Sequence, residues 1–311
     1  MKKMPSACYL ILLSLIAFYS CQNKAQNQAK EKENTSTTQT EEQNTPPQNT
    51  PPQLKKYWAS DPYLETSESV LYNPWDNTLF VSCIYGKPTD KDGNGLISKI
   101  SIENGQTIQE RFAKDLNAPK GMGLSPDTMI LYVTDIDRLV LVHARSGIIL
   151  KSYPIQGAKF LNDVFVDPID STVYFSDTET GKIHRLKGEE ISVFSQVKAP
   201  NGITAYNDST LLVLSFAGQE MYLIDKRSGK VNTVPEGIPN GDGIVPDGQG
   251  GFFASDWSGQ IFHLDQDLHP SLLLDTRKKE INAADIEYVP QQRLLLVPTF
   301  FKNDVTAYKY E

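Results

Sequence analysis

Apolar and polar residues alternate along the stretch Lys159–Asp177, which reads KFLNDVFVDPIDSTVYFSD. The apolar members of this alternation, on either side of a short break, are Val164, Val166, Val173 and Phe175. A period of two residues is that of a half-buried strand. The break begins at Asp167-Pro168, a pair that favours a turn. The stretch therefore predicts two adjacent strands joined by a tight turn, with the polar pair Asn162-Asp163 at the start of the first strand.

The same module occurs six times along the chain. Aligning the apolar residue that opens each first strand gives Val70, Met122, Val164, Ile203, Ile244 and Ile286. Successive members of this set are separated by 52, 42, 39, 41 and 42 residues. A repeat of about 40 residues with several short strands is typical of propeller blades, and six blades lie within the usual number. The predicted fold is all-β, a six-bladed β-propeller of four-stranded blades over residues 54–311.

The last module offers three strands at most before the chain ends at Glu311. A propeller closes its ring so that no sheet edge is left open at the junction of its ends. We therefore expect the strand-like piece Leu54–Ser60 to supply the outer strand of the last blade.

The residue two places before each aligned apolar position is polar in five of the six modules. In chain order these residues are Glu68, Lys120, Asn162, Asn201, Asp242 and Ala284. Because the innermost strands of a propeller surround a central channel, we expect these side chains to converge on one axis. Two carboxylates and two amides form an all-oxygen shell that suits a hard divalent cation. The predicted metal ligands are Glu68, Asn162, Asn201 and Asp242, with calcium the first choice and magnesium or zinc the alternatives.

Lys120 occupies a ring position and leaves two interpretations open. Its ammonium can fill the channel and pair with Glu68 or Asp242, which makes a salt-bridge plug that holds no metal. If the ammonium turns outward, it can bind an anionic group of a substrate or a developing oxyanion. Asp163 and Asp285 directly follow ring positions, and in regular strands they would point away from the axis. We therefore expect these two residues to support the ring from outside.

Apolar residues follow the strand that returns to the ring in most modules, namely Tyr85, Ile136, Phe216, Trp257, Phe300 and Phe301. An apolar rim around a polar centre is typical of a small-molecule pocket, and packing between blades is the alternative interpretation. Trp257 is predicted to bind substrate together with Lys120.

The loop after the second strand of the first module contains Asp90, Asp92 and Asn94, spaced like the first half of an EF-hand loop but without its closing Glu. We expect a polar surface turn, with a weak calcium site as the alternative. On the ring face of a propeller this loop would act as a partial lid.

The N-terminal segment has the pattern of a bacterial lipoprotein signal. Lys2-Lys3 precede an apolar run from Tyr9 to Tyr19, and Cys21 stands at its end. Residues 1–20 are therefore a predicted signal peptide and Cys21 a predicted lipidation site, with a soluble exported protein as the alternative. Residues 21–53 are low-complexity and are predicted to be a disordered tether. The expected product is an exported lipoprotein, anchored in a membrane and facing the periplasm or the cell surface.

Composition and motifs narrow the function classes. The net charge of −8 argues against a nucleic-acid partner. Three Cys make no disulfide framework and no CxxC pair, so Cys83 is expected to be a buried apolar residue. The chain has no GxSxG, Walker or GxGxxG motif. Their absence argues against a serine hydrolase, a nucleotide-binding enzyme or a dehydrogenase. A monomer is expected.

The ring motifs together resemble those of the SMP-30/gluconolactonase/LRE family, whose members are six-bladed calcium propellers. The resemblance covers roughly residues 55–311 and rests on Glu68 in SESVLYNP, Asn162 in LNDVFVD, Asn201 in APNGI and Asp242 in GDGIV. It implies metal-dependent hydrolysis of lactones or phosphotriesters. The chain departs from the family pattern at Ser69, where Gly-Pro is usual, and at Lys120.

Two hypotheses about function follow. In the first, the protein hydrolyses a small-molecule ester, foremost a lactone as gluconolactonases do, with Asp242 as general base or nucleophile. In the second, it is a non-catalytic propeller that binds a ligand or a protein, with a structural metal or a lysine-plugged channel.

Overall fold

The computed structural model describes residues 52–311, so the predicted signal peptide, Cys21 and nearly all of the predicted tether lie outside it. The described residues form 24 strands in six four-stranded antiparallel sheets, with two single-turn 3-10 helices at Arg277–Lys279 and Pro290–Gln292. The predicted six-bladed β-propeller is confirmed. Neither helix has the length and apolar character needed to cross a membrane.

The first five blades each use four consecutive strands, ordered from the channel outward. Blades 1 and 2 comprise β2 Ser67–Asn73, β3 Thr78–Cys83, β4 Gly95–Ser101, β5 Thr107–Leu116, β6 Pro119–Leu124, β7 Ile130–Asp135, β8 Arg138–His143 and β9 Ile149–Pro154. Blades 3 and 4 comprise β10 Leu161–Val166, β11 Val173–Asp177, β12 Lys182–Lys187, β13 Glu190–Gln196, β14 Pro200–Asn207, β15 Thr210–Ser215, β16 Met221–Asp225 and β17 Val231–Val234. Blade 5 comprises β18 Gly241–Pro246, β19 Phe252–Asp256, β20 Gln260–Leu264 and β21 Pro270–Asp275.

The sixth blade joins the two ends of the propeller. Its strands β22 Glu287–Val289, β23 Leu294–Pro298 and β24 Val305–Tyr310 are completed on the outside by β1 Leu54–Ala59. The prediction that this N-terminal piece closes the ring is confirmed. The pairing continues one residue beyond β1, because the backbones of Gln53 and Glu311 exchange two hydrogen bonds of 3.0 Å.

The hydrophobic core consists of layers between neighbouring blades. Phe80 and Ile97 of blade 1, for example, pack with Leu131 and Val140 of blade 2, and all four are fully buried. Burying such a side chain contributes about 1.5–3 kcal/mol, and each sheet obtains this contribution on both faces. Cys83 lies in the layer between blades 1 and 6, as expected, and burial raises the pKa of its thiol to about 12.

A β-bulge interrupts the innermost strand of five blades at the ring end. The pairing with the second strand shifts between Ser67 and Ser69 in β2, and equivalent shifts occur in β6, β10, β14 and β18. A Ser or Thr recurs near the end of the second strand, and in several blades its hydroxyl accepts a hydrogen bond from a backbone amide of the bulge. Ser82 accepts a hydrogen bond from the amide of Ser69 (2.9 Å), and Ser176 from that of Asp163 (2.9 Å). A bulge redirects side chains locally, and here it sets the orientation of the ring residues.

Candidate active site at the mouth of the central channel

Five ring residues meet at the floor of one cavity. Each is the second residue of its innermost strand, and together they border a cavity of about 380 Å³: Glu68, Lys120, Asn162, Asn201 and Asp242. The sixth ring position, Ala284, is fully buried and adds no polar group. The expected convergence of these side chains on one axis is therefore present in the structure.

The ring presents oxygen atoms as possible metal ligands, because the amide nitrogens are engaged in hydrogen bonds. The amide nitrogen of Asn162 donates to the hydroxyl of Thr178 (3.2 Å), and that of Asn201 donates to a carboxylate oxygen of Asp242 (3.3 Å). Glu68 Oε2 and Asn201 Oδ1 are buried and have no hydrogen-bond partner within residues 52–311. Leaving a buried polar atom without a partner costs about 1–3 kcal/mol. A divalent cation held by oxygens would satisfy both atoms, so the residues present fit such an ion.

The two ring carboxyls are held in an environment that opposes ionisation. Burial, followed by the neighbouring Asp242 carboxylate, raises the pKa of Glu68 well above its usual value, while the Lys120 ammonium acts in the opposite direction. Burial, followed by Asp163, likewise raises the pKa of Asp242, against the hydrogen bond from Asn201. Without a bound cation, ionisation of this cluster would place negative charge away from water, and a divalent ion would relieve that cost.

Lys120 is turned toward loops rather than toward the ring carboxylates. Its side chain is fully buried, and its ammonium donates to the carbonyl oxygens of Pro88 and Ala118, both at 3.0 Å. The ammonium also lies 4.4 Å from the centre of the Phe160 ring. Burial lowers its pKa to about 8, with Glu68 and Asp135 opposing the shift. Within the described residues Lys120 forms no ion pair, so the salt-bridge plug with Glu68 or Asp242 is not present in the structure.

The cavity wall is largely apolar. Four of the predicted rim residues border it, and Trp257 stands among them with Phe216, Phe300 and Phe301 at ring-centre distances of 6.4, 5.7 and 6.0 Å. Two predicted rim residues do not border it. Ile136 is buried against Ile84 and Ala118, and the Tyr85 hydroxyl donates to the carbonyl of Tyr63 beside a separate groove.

Sequence reasoning missed several wall residues. Ile84, Pro88, Phe160, Thr178 and Glu179 also border the cavity. Phe160 immediately precedes β10, so its place was recognisable only as an apolar residue next to a ring position. Pro88 belongs to the loop of residues 84–94, which reaches the cavity on the ring face as expected for a partial lid. In that loop the Asp92 carboxylate accepts two hydrogen bonds of 3.0 Å from Asn94, as in a local polar turn.

Asp163 and Asp285 lie inside the channel, so the expectation that they point away from the axis is wrong. Both border a smaller cavity of about 100 Å³ below the ring, which the six aligned apolar residues surround. The bulge at the start of β10 breaks the alternation on which the expectation relied. Asp163 accepts hydrogen bonds from the amides of Val164 (2.6 Å) and Ile203 (2.8 Å), and Asp285 accepts one from the Ser69 hydroxyl (2.6 Å).

The histidines lie away from the ring. His184 is buried against Phe175, and His263 pairs with Asp247 at 2.9 Å. In the part of the chain that the structure describes, one group of three residues has the mutual spacing of a metal site, Asp265, Asp267 and His269. This group is exposed on the turn between β20 and β21, at the opposite face of the propeller.

Comparison with known proteins gives similarity of fold. No protein-family model matches the chain, and no curated protein matches it. A gluconolactonase from Xanthomonas campestris superposes with a TM-score of 0.63 at 16% identity, over 81% of this chain and 89% of that one. Virginiamycin B lyase from Staphylococcus aureus superposes with a TM-score of 0.59 at 15% identity, over 83% of this chain and 99% of that one. A chain of a nidogen–laminin complex superposes with a TM-score of 0.58 at 16% identity, over 71% of this chain and 84% of that one. Propellers of this shape thus include enzymes that differ in reaction.

Proposed function

We propose that the protein is a metal-dependent hydrolase of a small lactone or related ester, similar to the SMP-30/gluconolactonase/LRE family. The observation that carries the proposal is the ring of Glu68, Asn162, Asn201 and Asp242 at the floor of a cavity, with two buried oxygens that lack hydrogen-bond partners among residues 52–311. These four residues would hold one divalent cation. Calcium is the proposed ion because the donors are all oxygen atoms, whereas zinc sites generally include nitrogen or sulfur. The gluconolactonase among the structural neighbours is consistent with this proposal.

The proposed reaction is addition of water across an acyl C–O bond. A water oxygen bonds to the carbonyl carbon, the bond to the ring oxygen breaks, and that oxygen takes up a proton, which leaves a hydroxy acid. A bound cation would polarise the carbonyl group. Asp242 is the proposed general base that accepts the proton from water, because a carboxylate that holds the cation can also reach a water molecule bound beside it.

Other cavity residues position the substrate in this proposal. Trp257 and its aromatic neighbours provide the surface against which the substrate lies and keep bulk water away from the reacting carbonyl. Lys120 has three N–H donors, of which two are engaged by Pro88 and Ala118. Its remaining N–H is the proposed donor to the oxyanion that develops on the carbonyl oxygen.

The test combines metal binding and hydrolysis. Thermal unfolding of the purified protein is measured in EDTA and after adding calcium, magnesium or zinc, for the wild type, Asp242→Ala and the exposed control Asp265→Ala. A cation that binds the native state raises the melting temperature by mass action. We expect calcium to stabilise the wild type and the control but not Asp242→Ala, and we expect proton release from lactones to follow the same order.

Two other results would contradict the proposal in different ways. If no metal changes the unfolding of the wild type, the ring is not a metal site. If calcium stabilises the protein but none of a range of lactones and phosphotriesters is hydrolysed, the metal is structural and a ligand- or protein-binding propeller is the better account.

We also propose that the enzyme is an exported lipoprotein held at a membrane by acylation of Cys21, with residues 21–53 as the tether. The support is the sequence pattern of the N-terminal segment. Full-length protein expressed in a bacterial host should partition into the detergent phase, and Cys21→Ala should move it to the aqueous phase. Detergent partitioning that is the same for both would exclude the anchor.

A further inference from the structure

The cavity above the ring offers a substrate much apolar surface and few hydrogen bonds. Its apolar wall consists of the aromatic group around Trp257, of Ile84, which packs in one cluster with Phe300 and Trp257, and of Phe160. Above the ring the polar groups are Thr178 and Glu179. The Thr178 hydroxyl is already engaged, since it donates to the carbonyl of Pro200 (2.8 Å) and accepts from Asn162 (3.2 Å). Glu179 is exposed at the rim.

This wall disfavours a polyhydroxylated ligand. Each hydroxyl that leaves water without gaining a partner loses a hydrogen bond, and a sugar lactone carries several of them. An anionic group on the part of the ligand above the ring also meets an unfavourable neighbour, because Glu179 is acidic. Apolar groups, in contrast, gain from contact with the aromatic rings, of which Phe301 is exposed and Phe216 and Trp257 are partly exposed to water.

We propose that the substrate is a neutral lactone or ester that carries an alkyl or aryl group, with its acyl carbon at the ring and its apolar group against the wall formed by Phe216, Trp257, Phe300 and Phe301. The inference rests on the proposed hydrolase function and makes it narrower. It separates this protein from an enzyme whose substrate is a sugar lactone, as the name of the neighbouring gluconolactonase indicates for that protein.

The experiment compares three lactones of the same ring size: δ-valerolactone, δ-decalactone and glucono-1,5-lactone. Hydrolysis of each by the calcium-loaded protein is followed by proton release, and binding to the metal-free protein is followed by saturation-transfer NMR. Burial of a methylene is expected to raise kcat/KM by about two- to fourfold. The pentyl group of δ-decalactone should therefore increase kcat/KM by about 30-fold or more over δ-valerolactone, and glucono-1,5-lactone should be the poorest substrate.

Trp257→Gln tests whether the wall carries this preference. The ratio of kcat/KM between δ-decalactone and δ-valerolactone should fall by about tenfold in this variant. Trp75→Gln is the matched control, because Trp75 is half-exposed in the turn between β2 and β3 and does not border the cavity. The control should keep the wild-type ratio.

The outcomes separate the inference from the function on which it rests. Hydrolysis of glucono-1,5-lactone that equals or exceeds that of δ-decalactone would overturn the apolar-substrate inference and leave the hydrolase proposal standing. Binding of δ-decalactone without hydrolysis of any lactone would support the ligand class and contradict the hydrolase. A protein that neither binds nor hydrolyses δ-decalactone would overturn the inference directly.

Discussion

The ammonium of Lys120 donates a hydrogen bond of 3.0 Å to the carbonyl oxygen of Pro88, which ties a ring position of blade 2 to the loop that covers the cavity from blade 1. The ammonium also lies close enough to the ring for its charge to act on Glu68, whose pKa it lowers. Its hydrogen bonds, however, are made to loop carbonyls. Its effect on a bound cation and its effect on the loop are separable by experiment.

Lys120→Met should strengthen calcium binding and loosen the loop. Removing a buried positive charge near the ring favours a divalent cation by on the order of tenfold. Loss of the hydrogen bond to Pro88 should speed tryptic cleavage after Lys91, the cleavable lysine of this loop, since the Lys87–Pro88 bond resists trypsin. Calorimetric titration and limited proteolysis measure the two effects. Lys91→Met, which removes an exposed lysine paired with Asp137, is the control for charge alone, and calcium affinity that is equal in Lys120→Met and wild type would contradict the prediction.

Neutral variants of the ring carboxyls should stabilise the metal-free protein while removing its response to calcium. Burial raises the pKa of Glu68 and Asp242 well above the usual range, so the fold opposes their negative charge. Glu68→Gln and Asp242→Asn should each raise the free energy of unfolding in EDTA by about 1–3 kcal/mol. For a domain of this size each kcal/mol raises the melting temperature by about 2–4 °C. Differential scanning calorimetry with and without calcium measures both properties.

Asp163→Asn is the matched control for that prediction, and it should lower the stability of the metal-free protein rather than raise it. Asp163 follows the ring residue Asn162, but both of its carboxylate oxygens accept backbone hydrogen bonds, from Val164 and Ile203. An amide replaces one acceptor by a donor, which should destabilise the protein by about 1–2 kcal/mol. If all three neutral variants change the melting temperature in the same direction, the distinction between ring and supporting carboxylates is wrong.

Glu287 should make the stability of the propeller depend on pH. It links blades 6 and 1 by accepting a hydrogen bond from the amide of Tyr72 (3.1 Å), and burial raises its pKa from the ordinary 4.5 to about 7. Because the folded pKa is the higher one, the stabilising contribution of the protonated form is complete below pH 4.5 and is lost as the pH rises through about 7.

The free energy of unfolding of the wild type should accordingly fall relative to Glu287→Gln as the pH increases through that window. We expect a change of roughly 1–3 kcal/mol, with a broad range because the side chain borders the channel cavity. Urea unfolding across the window measures the difference, with the exposed Glu189→Gln as control. A difference between wild type and Glu287→Gln that is constant with pH would show that the carboxyl titrates normally.

Removal of β1 should open the propeller. The strand pairs with β24, and Trp58 on it donates from its indole nitrogen to the carbonyl of Ile102 (3.0 Å) in blade 1. A chain that begins at Gln53 should unfold at the temperature of the longer protein, whereas one that begins at Asp61 should lose cooperative unfolding because β24 becomes an unpaired edge. Trp58→Phe removes the indole donor and should cost only about 1 kcal/mol. Equal unfolding temperatures for the two truncated chains would contradict this role of β1.

Local patterns in the sequence were sufficient to predict the blades and the ring. The period of two residues identifies strands because side chains of a strand alternate between faces, and the repeat of about 40 residues identifies blades because each blade is one such unit. Equivalent positions in a closed repeat must meet at the axis, so Glu68 and Asp242 were recognisable although 174 positions separate them. The closing role of Leu54–Ser60 followed from the same requirement that no edge remain open.

The tertiary structure decided what these rules leave open, which is the direction of individual side chains. The bulges place Asp163 in the channel, where strict alternation would turn it outward. This placement depends on hydrogen bonds with other strands, which no local pattern contains: the Asp163 amide donates to Ser176, and its carboxylate accepts from Ile203. The position of the Lys120 ammonium likewise depends on the carbonyl of Pro88, a residue 32 positions away in another blade. Sequence alone determined which ring residues come together, because repetition encodes position. Contacts between blades decided how each side chain points, because a long side chain, or one that follows a bulge, is oriented by its hydrogen-bond partners.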